Sequence, residues 1–418
     1  MPAGKADERR YTPVAVGLIV LLIAFCRMPD RLIYGFLWGE DGHEWLVHAR
    51  SDGLRSLAEP YAGYLHFLPR IIALAFVHVA PDYMAPRILV WISALGLCCV
   101  CGYIYSFARR MLSETFSWAF ALTPILVPHD GEVWLNITNL QWVVAPAFLI
   151  VLWDEFCSDK ATESSTFGDI TRIIALALLS LTGPFGIIYA PIFIIALFLT
   201  RRIKRSKMNI VAIATYFASV GIQSTIFVAT PAFVPGTGET RIPLSQYVHF
   251  PWKGEFLRYL MLDFAMPISI TPRFGNHWGI AAIILTAAMI ICIISTEYRF
   301  RIVSLTWFAL AIFIWAMSVV RTGTWAFDLK WNLVGARYFY VPFVFMTWGL
   351  LLSAATTNFP VIRFLACFVL TLCLLNSAEY LHSLTWPRVQ AIQNPSGEGW
   401  LLTIAPNSAW YISVSPKN

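Results

Sequence analysis

Tyr64-Leu-His-Phe-Leu-Pro-Arg-Ile-Ile-Ala-Leu-Ala-Phe-Val-His-Val-Ala80 is the stretch on which the topology turns. It is apolar enough to suggest a membrane crossing, yet it carries His66, Pro69, Arg70 and His78. An arginine at mid-span costs about 2.5 kcal/mol or more on insertion scales. Segment 64–80 is therefore expected to lie in the interface as a juxtamembrane helix and not to span.

Around this stretch, apolar runs recur from Val14 to Tyr380. A spanning helix needs about 20 apolar residues. Runs near that length occupy 12–26, 86–108, 112–128, 140–156, 172–186, 187–200, 209–230, 277–295, 302–320, 338–356 and 362–380. The pattern predicts an all-α polytopic membrane protein with about 11 transmembrane helices. Region 172–200 reads either as two short helices turning at Gly183-Pro184 or as one long kinked span. With 58% of residues hydrophobic and only 13% charged, the chain cannot cover a soluble fold of this size with polar surface. Many aromatic side chains sit at the ends of the runs, where amphipathic rings favour the headgroup layer. Arg9 and Arg10 precede the first run, which lacks a small-residue cleavage site and reads as a retained anchor.

The net charge of +6 is distributed between the runs rather than along one stripe, so it is not a nucleic-acid signal. It fits positive-inside orientation. With an inside N-terminus and 64–80 not spanning, Arg109-Arg110 falls inside. So do Arg201, Arg202, Lys204, Arg205 and Lys207, and the pair Arg299 and Arg301. The outside then holds 27–85, 129–139, 231–275, 321–337 and the tail 381–418. Most acidic, aromatic and histidine residues of the loops lie there, which directs polar chemistry to the extracytoplasmic face. The eight cysteines show no zinc-like spacing with histidine and read as small core residues. No internal repeat is evident, which weighs against a transporter of duplicated halves.

Chemistry-bearing residues cluster in the outer loops. Trp38-Gly-Glu-Asp-Gly-His-Glu-Trp45 places Glu40 and Asp41 in a tight acidic turn soon after the first run. One carboxylate of such a pair can act as a general base while the other orients a group or a metal. The plain alternative is a solvated acidic loop. Pro128-His-Asp-Gly-Glu-Val-Trp134 carries Asp130 and Glu132, followed by Asn136, Thr138, Asn139, Gln141 and Trp142. It reads equally as a hydrated turn and helix cap. Arg321, Lys330 and Arg337 share one outer loop, where an arginine can clamp a phosphate or simply snorkel to the interface. Arg70 and Arg87 are weaker candidates of the same kind. Asn394-Pro-Ser-Gly-Glu-Gly-Trp400 reads as a turn-rich tail, whose Trp400, Trp410 and Tyr411 can stack on sugars or sit at the interface.

This order resembles the GT-C superfamily of membrane glycosyltransferases, of the bacterial kind that use polyprenyl-phosphate-linked sugars. Glu40-Asp41 is similar to the acidic motif of that superfamily's first outer loop. Asp130-Gly-Glu132 is similar to the Asp-x-Glu form found in the next outer loop of some members. Tyr61-Ala-Gly-Tyr64 with Pro69-Arg70, and Asn136-Ile-Thr-Asn-Leu-Gln-Trp142, resemble stretches of bacterial GT-C-type proteins with no assigned substrate. The likeness covers the first 160 or so residues. Beyond them it rests on helix count and loop placement.

The resemblance implies a GT-C-like transmembrane domain over 1–380, in which 27–85 forms the first outer loop with juxtamembrane helices, and an extracytoplasmic tail over 381–418. It implies a multi-pass enzyme of the bacterial inner membrane with its site outside. The donor would be a polyprenyl-phosphate-linked sugar. Without a soluble C-terminal catalytic domain or a long acceptor-binding motif, the acceptor would be a glycan or a lipid. An inverting reaction needs one base to deprotonate the acceptor hydroxyl and a cation for the departing phosphate. Asp41 would be that base, with Glu40 as its alternate. Asp130 and Glu132 would support, or hold Mg²⁺ or Mn²⁺ through oxygen ligands, although metal-free members exist. Arg337, with Arg321 and Arg70, would contact the phosphate. Competing readings are a membrane transporter or lipid flippase, a glycan polymerase or ligase, and a structural subunit. The transporter reading prefers ionisable groups buried mid-span, and the runs are nearly free of them.

Overall fold

The computed structural model describes residues 4–157, 166–199, 207–230, 248, 250–267, 270, 277–322, 335–380, 391–394, 399–405 and 410–414. The described chain is overwhelmingly α-helical. All eleven apolar runs fall on helices: α1 (Gly4–Arg27), α5 (Ala85–Ala108), α6 (Glu114–Leu126), α7 (Leu140–Cys157), α8 (Thr166–Ser180), α9 (Phe185–Leu199), α10 (Lys207–Ala229), α13 (Trp278–Ile294), α14 (Tyr298–Thr322), α15 (Arg337–Thr356) and α16 (Pro360–Glu379). Shorter helices lie between them: α2 (Pro29–Tyr34), α3 (Val47–Ser51), α4 (Phe67–Val79), α11 (Trp252–Glu255) and α12 (Asp263–Ala265). Among the described residues, five helical stretches are long and apolar enough to cross a membrane: Asp82–Ala108, Lys207–Ala229, Tyr298–Val320, Arg337–Thr356 and Pro360–Glu379. The basic cluster 201–206 and Lys330 lie outside the described residues, and of Arg321 only the helical backbone is described.

The chain divides into two compact units. The first comprises Met1–Pro29, Leu97–Val133 and Ile242–Trp386. Its core is α15, buried along nearly its whole length and packed against α6, α13, α14 and α16. Phe120, Trp307 and Trp348 form its aromatic centre, with Phe120 and Trp348 stacked at 5.6 Å. Phe364, Phe368, Leu374 and Leu375 of α16 are exposed. Such an apolar outer face is stable in hydrocarbon and not in water. Within the loop expected over 231–275, α11 continues through π-helical turns over Phe256–Leu262 into α12. This run packs against α13 and α16, and Asn376 Nδ2 donates to the Asp263 carbonyl at 2.6 Å.

The second unit comprises Asp30–Gly96, Trp134–Arg241 and Pro387–Asn418. Here α7, α8, α9 and α10 pack together. Region 172–200 is two helices, not one kinked span. They are separated by a turn in which Gly183 takes φ +77°. Its missing Cβ is required, because a Cβ there would meet Gln141 Oε1 at 2.0 Å. Gln223 accepts from Leu65 N at 2.8 Å and donates to the carbonyls of Leu65 and Gly183, both at 3.2 Å. That amide binds the segment before α4 to the α8–α9 turn. At 13 residues, α4 is about 20 Å long, against about 30 Å of hydrocarbon.

The tail contains a small antiparallel sheet with strand order β1 (Ala391–Gln393), β2 (Trp400–Thr403), β3 (Tyr411–Val414). Leu402 pairs with Ala391 on one side and Ile412 on the other. Ala405 N donates to the Leu37 carbonyl at 2.8 Å. A Cβ on Gly42 would sit 2.7 Å from Ile404 Cδ1, so glycine allows the sheet to close on the acidic turn. The sequence pattern contained no sign of strands here.

Candidate functional site

The acidic turn of the first outer loop belongs to the second unit. Its chain enters a π-helical segment, Asp41–Leu46, that continues into α3. Asp41 is 0% exposed. Its Oδ2 accepts from Trp38 N at 3.0 Å. Its Oδ1 accepts from Thr138 N at 2.9 Å and from Thr138 Oγ1 at 2.6 Å. Thr138 Oγ1 in turn accepts from Trp45 Nε1 at 2.8 Å. Burial pushes the Asp41 carboxyl up from 3.8 to about 7, against the opposing pull of Thr138 and Trp38, with a smaller upward push from Glu40. Asp41 therefore fastens the turn to Thr138 and faces no solvent.

Glu40 differs from its neighbour. It is half-buried, and Tyr61 Oη approaches its Oε1 at 3.4 Å. Tyr61 and Tyr64 bracket a two-residue turn in which Ala62 and Gly63 have φ +51° and +89°. Their rings meet a cluster with Trp45 and His66: Trp45–Tyr61 at 5.5 Å, Trp45–His66 at 4.9 Å and Tyr64–His66 at 4.7 Å. Arg70 lies over the Trp45 ring, its Cζ 4.8 Å from the centroid. This guanidinium is 1% exposed, and among the described residues its Nε and Nη1 have no hydrogen-bond acceptor. The nearest carboxylate oxygen is Glu59 Oε2, 3.6 Å from Nη1. Arg87, by contrast, is exposed at the start of α5.

The second acidic motif, at 129–132, belongs to the first unit and is organised differently. Gly131 takes φ +91°, and its N donates to His129 Nδ1 at 2.9 Å. Glu132 N donates to Asp130 Oδ1 at 2.9 Å. Glu132 is 0% exposed, and both its oxygens are held by Arg337: Oε2 by the backbone N and Oε1 by Nη1, each at 2.9 Å. The structure thus pairs Arg337 with Glu132, and joins Glu40 and Arg70 through the aromatic cluster of the other unit.

Neither Asp41 nor Glu132 fits the role of ligand to Mg²⁺ or Mn²⁺. Every oxygen of both is already an acceptor of hydrogen bonds from the protein. Among the described residues, the group of His, Cys, Asp or Glu that gathers its ligand atoms within 4.8 Å is His48, Asp52 and Glu59. The sequence reading passed over these three. Their spacing, His-x3-Asp-x6-Glu in the first outer loop, was the available signal. No family model matches the chain, and no curated protein sequence matches it.

Proposed function

We propose that the chain is a GT-C-type inverting glycosyltransferase with about eleven membrane crossings. In this reading α4 lies in the interface, and the first outer loop faces the extracytoplasmic side of a bacterial inner membrane. The donor is a polyprenyl-phosphate-linked sugar, and the acceptor is a glycan or lipid hydroxyl. Glu40 takes the acceptor's proton, since its carboxylate is half-buried while that of Asp41 is wholly engaged. Asp41 is a positioning residue. Arg70 stabilises the departing phosphate, and Arg337 is the partner of Glu132.

The observation that carries this reading is Arg70. The guanidinium is buried, Glu59 stands off at 3.6 Å, and among the described residues Nε and Nη1 have no hydrogen-bond acceptor, which leaves donor capacity for a phosphate oxygen. It is connected to Glu40 through Trp45 and Tyr61 within one compact unit. A base and a phosphate-binding cation flanking aromatic rings suit a phosphosugar, whose phosphate is already a leaving group.

The test is sugar transfer by the purified chain in nanodiscs, with polyprenyl-phosphate sugars offered in turn. Glu40→Gln should slow transfer by about 10²–10⁴-fold, the usual scale of general-base loss, with the thermal unfolding midpoint unchanged. If the unsubstituted chain consumes no lipid-linked sugar across a broad donor and acceptor panel, the transferase reading fails.

A further inference from the structure

The tail sheet of the second unit closes on the acidic turn, and two glycines decide where. Gly39 and Gly42 flank Glu40-Asp41 and present bare backbone to the tail. A Cβ at Gly42 would stand 2.7 Å from Ile404 Cδ1 and 3.3 Å from Ile412 Cδ1. A Cβ at Gly39 would stand 3.7 Å from Trp410 Cζ3, so the indole edge lies beside that residue with no side chain between. Backbone hydrogen bonds fix this placement. Ala405 N donates to the Leu37 carbonyl at 2.8 Å, and Ala405 bridges Trp38. Ile404 N donates to the Trp410 carbonyl at 3.0 Å, so Trp410 enters β3 in a set register beside the turn.

Trp410 is nevertheless 45% exposed. An indole gains much from burial, and leaving nearly half of it open beside a polar turn forgoes that gain. Glu40 follows Gly39 directly, is half-buried and holds Oε1 3.4 Å from Tyr61 Oη. A flat apolar ring and a carboxylate are thus brought to one junction of turn and sheet. A sugar ring matches both. Its C–H face is apolar and lies flat on an aromatic ring, while its hydroxyl rim donates to a carboxylate. The indole is also stiff, with two side-chain torsions, so little entropy is lost when it is covered. A lipid alcohol offers the hydroxyl but not the flat face.

We propose that Trp410 is the stacking platform for a saccharide whose hydroxyl reaches Glu40, so that the acceptor is a glycan and not a lipid alcohol. The saccharide's role as acceptor rests on the transferase reading, whereas its binding does not. In transfer, the hydroxyl proton passes to Glu40 and the hydroxyl oxygen bonds to the donor's anomeric carbon. The bond from that carbon to the phosphate oxygen breaks, and polyprenyl phosphate leaves.

The experiment is titration of the purified full chain in nanodiscs with cellotetraose, maltotetraose and chitotetraose, followed by saturation-transfer NMR with no donor present. We expect saturable binding of at least one, with the strongest transfer to its ring C–H protons. Trp410→Ala should weaken that binding by about 10-fold, the scale of one aromatic contact. Trp410→Leu, which keeps apolar bulk without a flat ring, should do the same, and Trp410→Phe should keep most of the affinity. A merely structural indole would be replaced as well by leucine as by phenylalanine, and the unfolding midpoint of each variant reports on the sheet. Saturable binding of no tetrasaccharide overturns the proposal, as does affinity that survives both Trp410→Ala and Trp410→Leu. So does quenching of the Trp410 emission by brominated lipid chains, read as the difference between the unsubstituted chain and Trp410→Phe, which would place the ring in a lipid surface. A chain that binds saccharide through Trp410 yet consumes no lipid-linked sugar upholds the saccharide site and fails the transferase reading alone.

Discussion

Asp41 and Glu132 are both 0% exposed carboxylates from short acidic motifs, yet the two compact units satisfy them by opposite means. Asp41 is surrounded by neutral donors: two backbone N–H groups and one hydroxyl. Glu132 is held by a cation, with a backbone N–H of the same arginine on its second oxygen. A buried charge needs either a counter-charge or enough dipoles to replace its lost hydration. The ion pair makes Glu132 and Arg337 interdependent. Around Asp41 burial outweighs the dipole cage, and its carboxyl is pushed up to about 7. Two motifs that look alike in sequence therefore differ in what breaks them.

The largest effect should come from the ion pair. Glu132→Ala leaves the largely buried Arg337 guanidinium without its carboxylate, which typically costs about 3–5 kcal/mol. The expected result is a lower unfolding midpoint in detergent. Replacing both partners with apolar residues should recover much of the loss, because no unpaired charge remains. If Glu132→Ala is neutral, the pair contributes nothing and the contrast with Asp41 is broken.

The pH dependence of Asp41 comes next. Its unfolded value is 3.8 and its folded value about 7, so the folded state holds the proton more tightly. The stability linked to this group is fully present below about pH 4 and is lost as pH rises through 7. Asp41→Asn removes that slope. The unfolding midpoint of the variant should therefore gain on the unsubstituted chain as pH is raised from 4 to 8. A trend of the opposite sign would mean that the three hydrogen bonds outweigh burial.

The helices were legible because each is an apolar run of nearly spanning length, and the α8–α9 turn because Gly183-Pro184 interrupts one. The reason Arg70 is tolerated was not legible. The argument from insertion cost assumes a charge facing lipid, whereas Arg70 is enclosed by protein, over Trp45 and beside Glu59. The two motifs were visible as acidic turns, but not their partners. Asp41 meets Thr138 97 positions away, and Glu132 meets Arg337 205 positions away. No local pattern encodes such contacts. The strands of the tail are three or four residues long, too short for an alternation to register.

The smallest predicted effect is also the one that isolates the dipole cage. Thr138 Oγ1 both donates to Asp41 Oδ1 and accepts from Trp45 Nε1. Thr138→Val keeps the shape and removes the hydroxyl, leaving two buried polar groups short of a partner. Each such loss usually costs about 1–3 kcal/mol, although Asp41 keeps the Thr138 backbone N–H. A net destabilisation near the lower end of that range is expected. Thr138→Ser restores the hydroxyl and should return most of the stability. With one of its three donors gone, the Asp41 carboxyl should rise further, so the loss of stability with pH should shift to higher pH. In the Asp41→Asn background this shift should vanish, because no titrating group is left to move. A shift that persists there would assign the pH dependence to another residue and remove Thr138 from the cage.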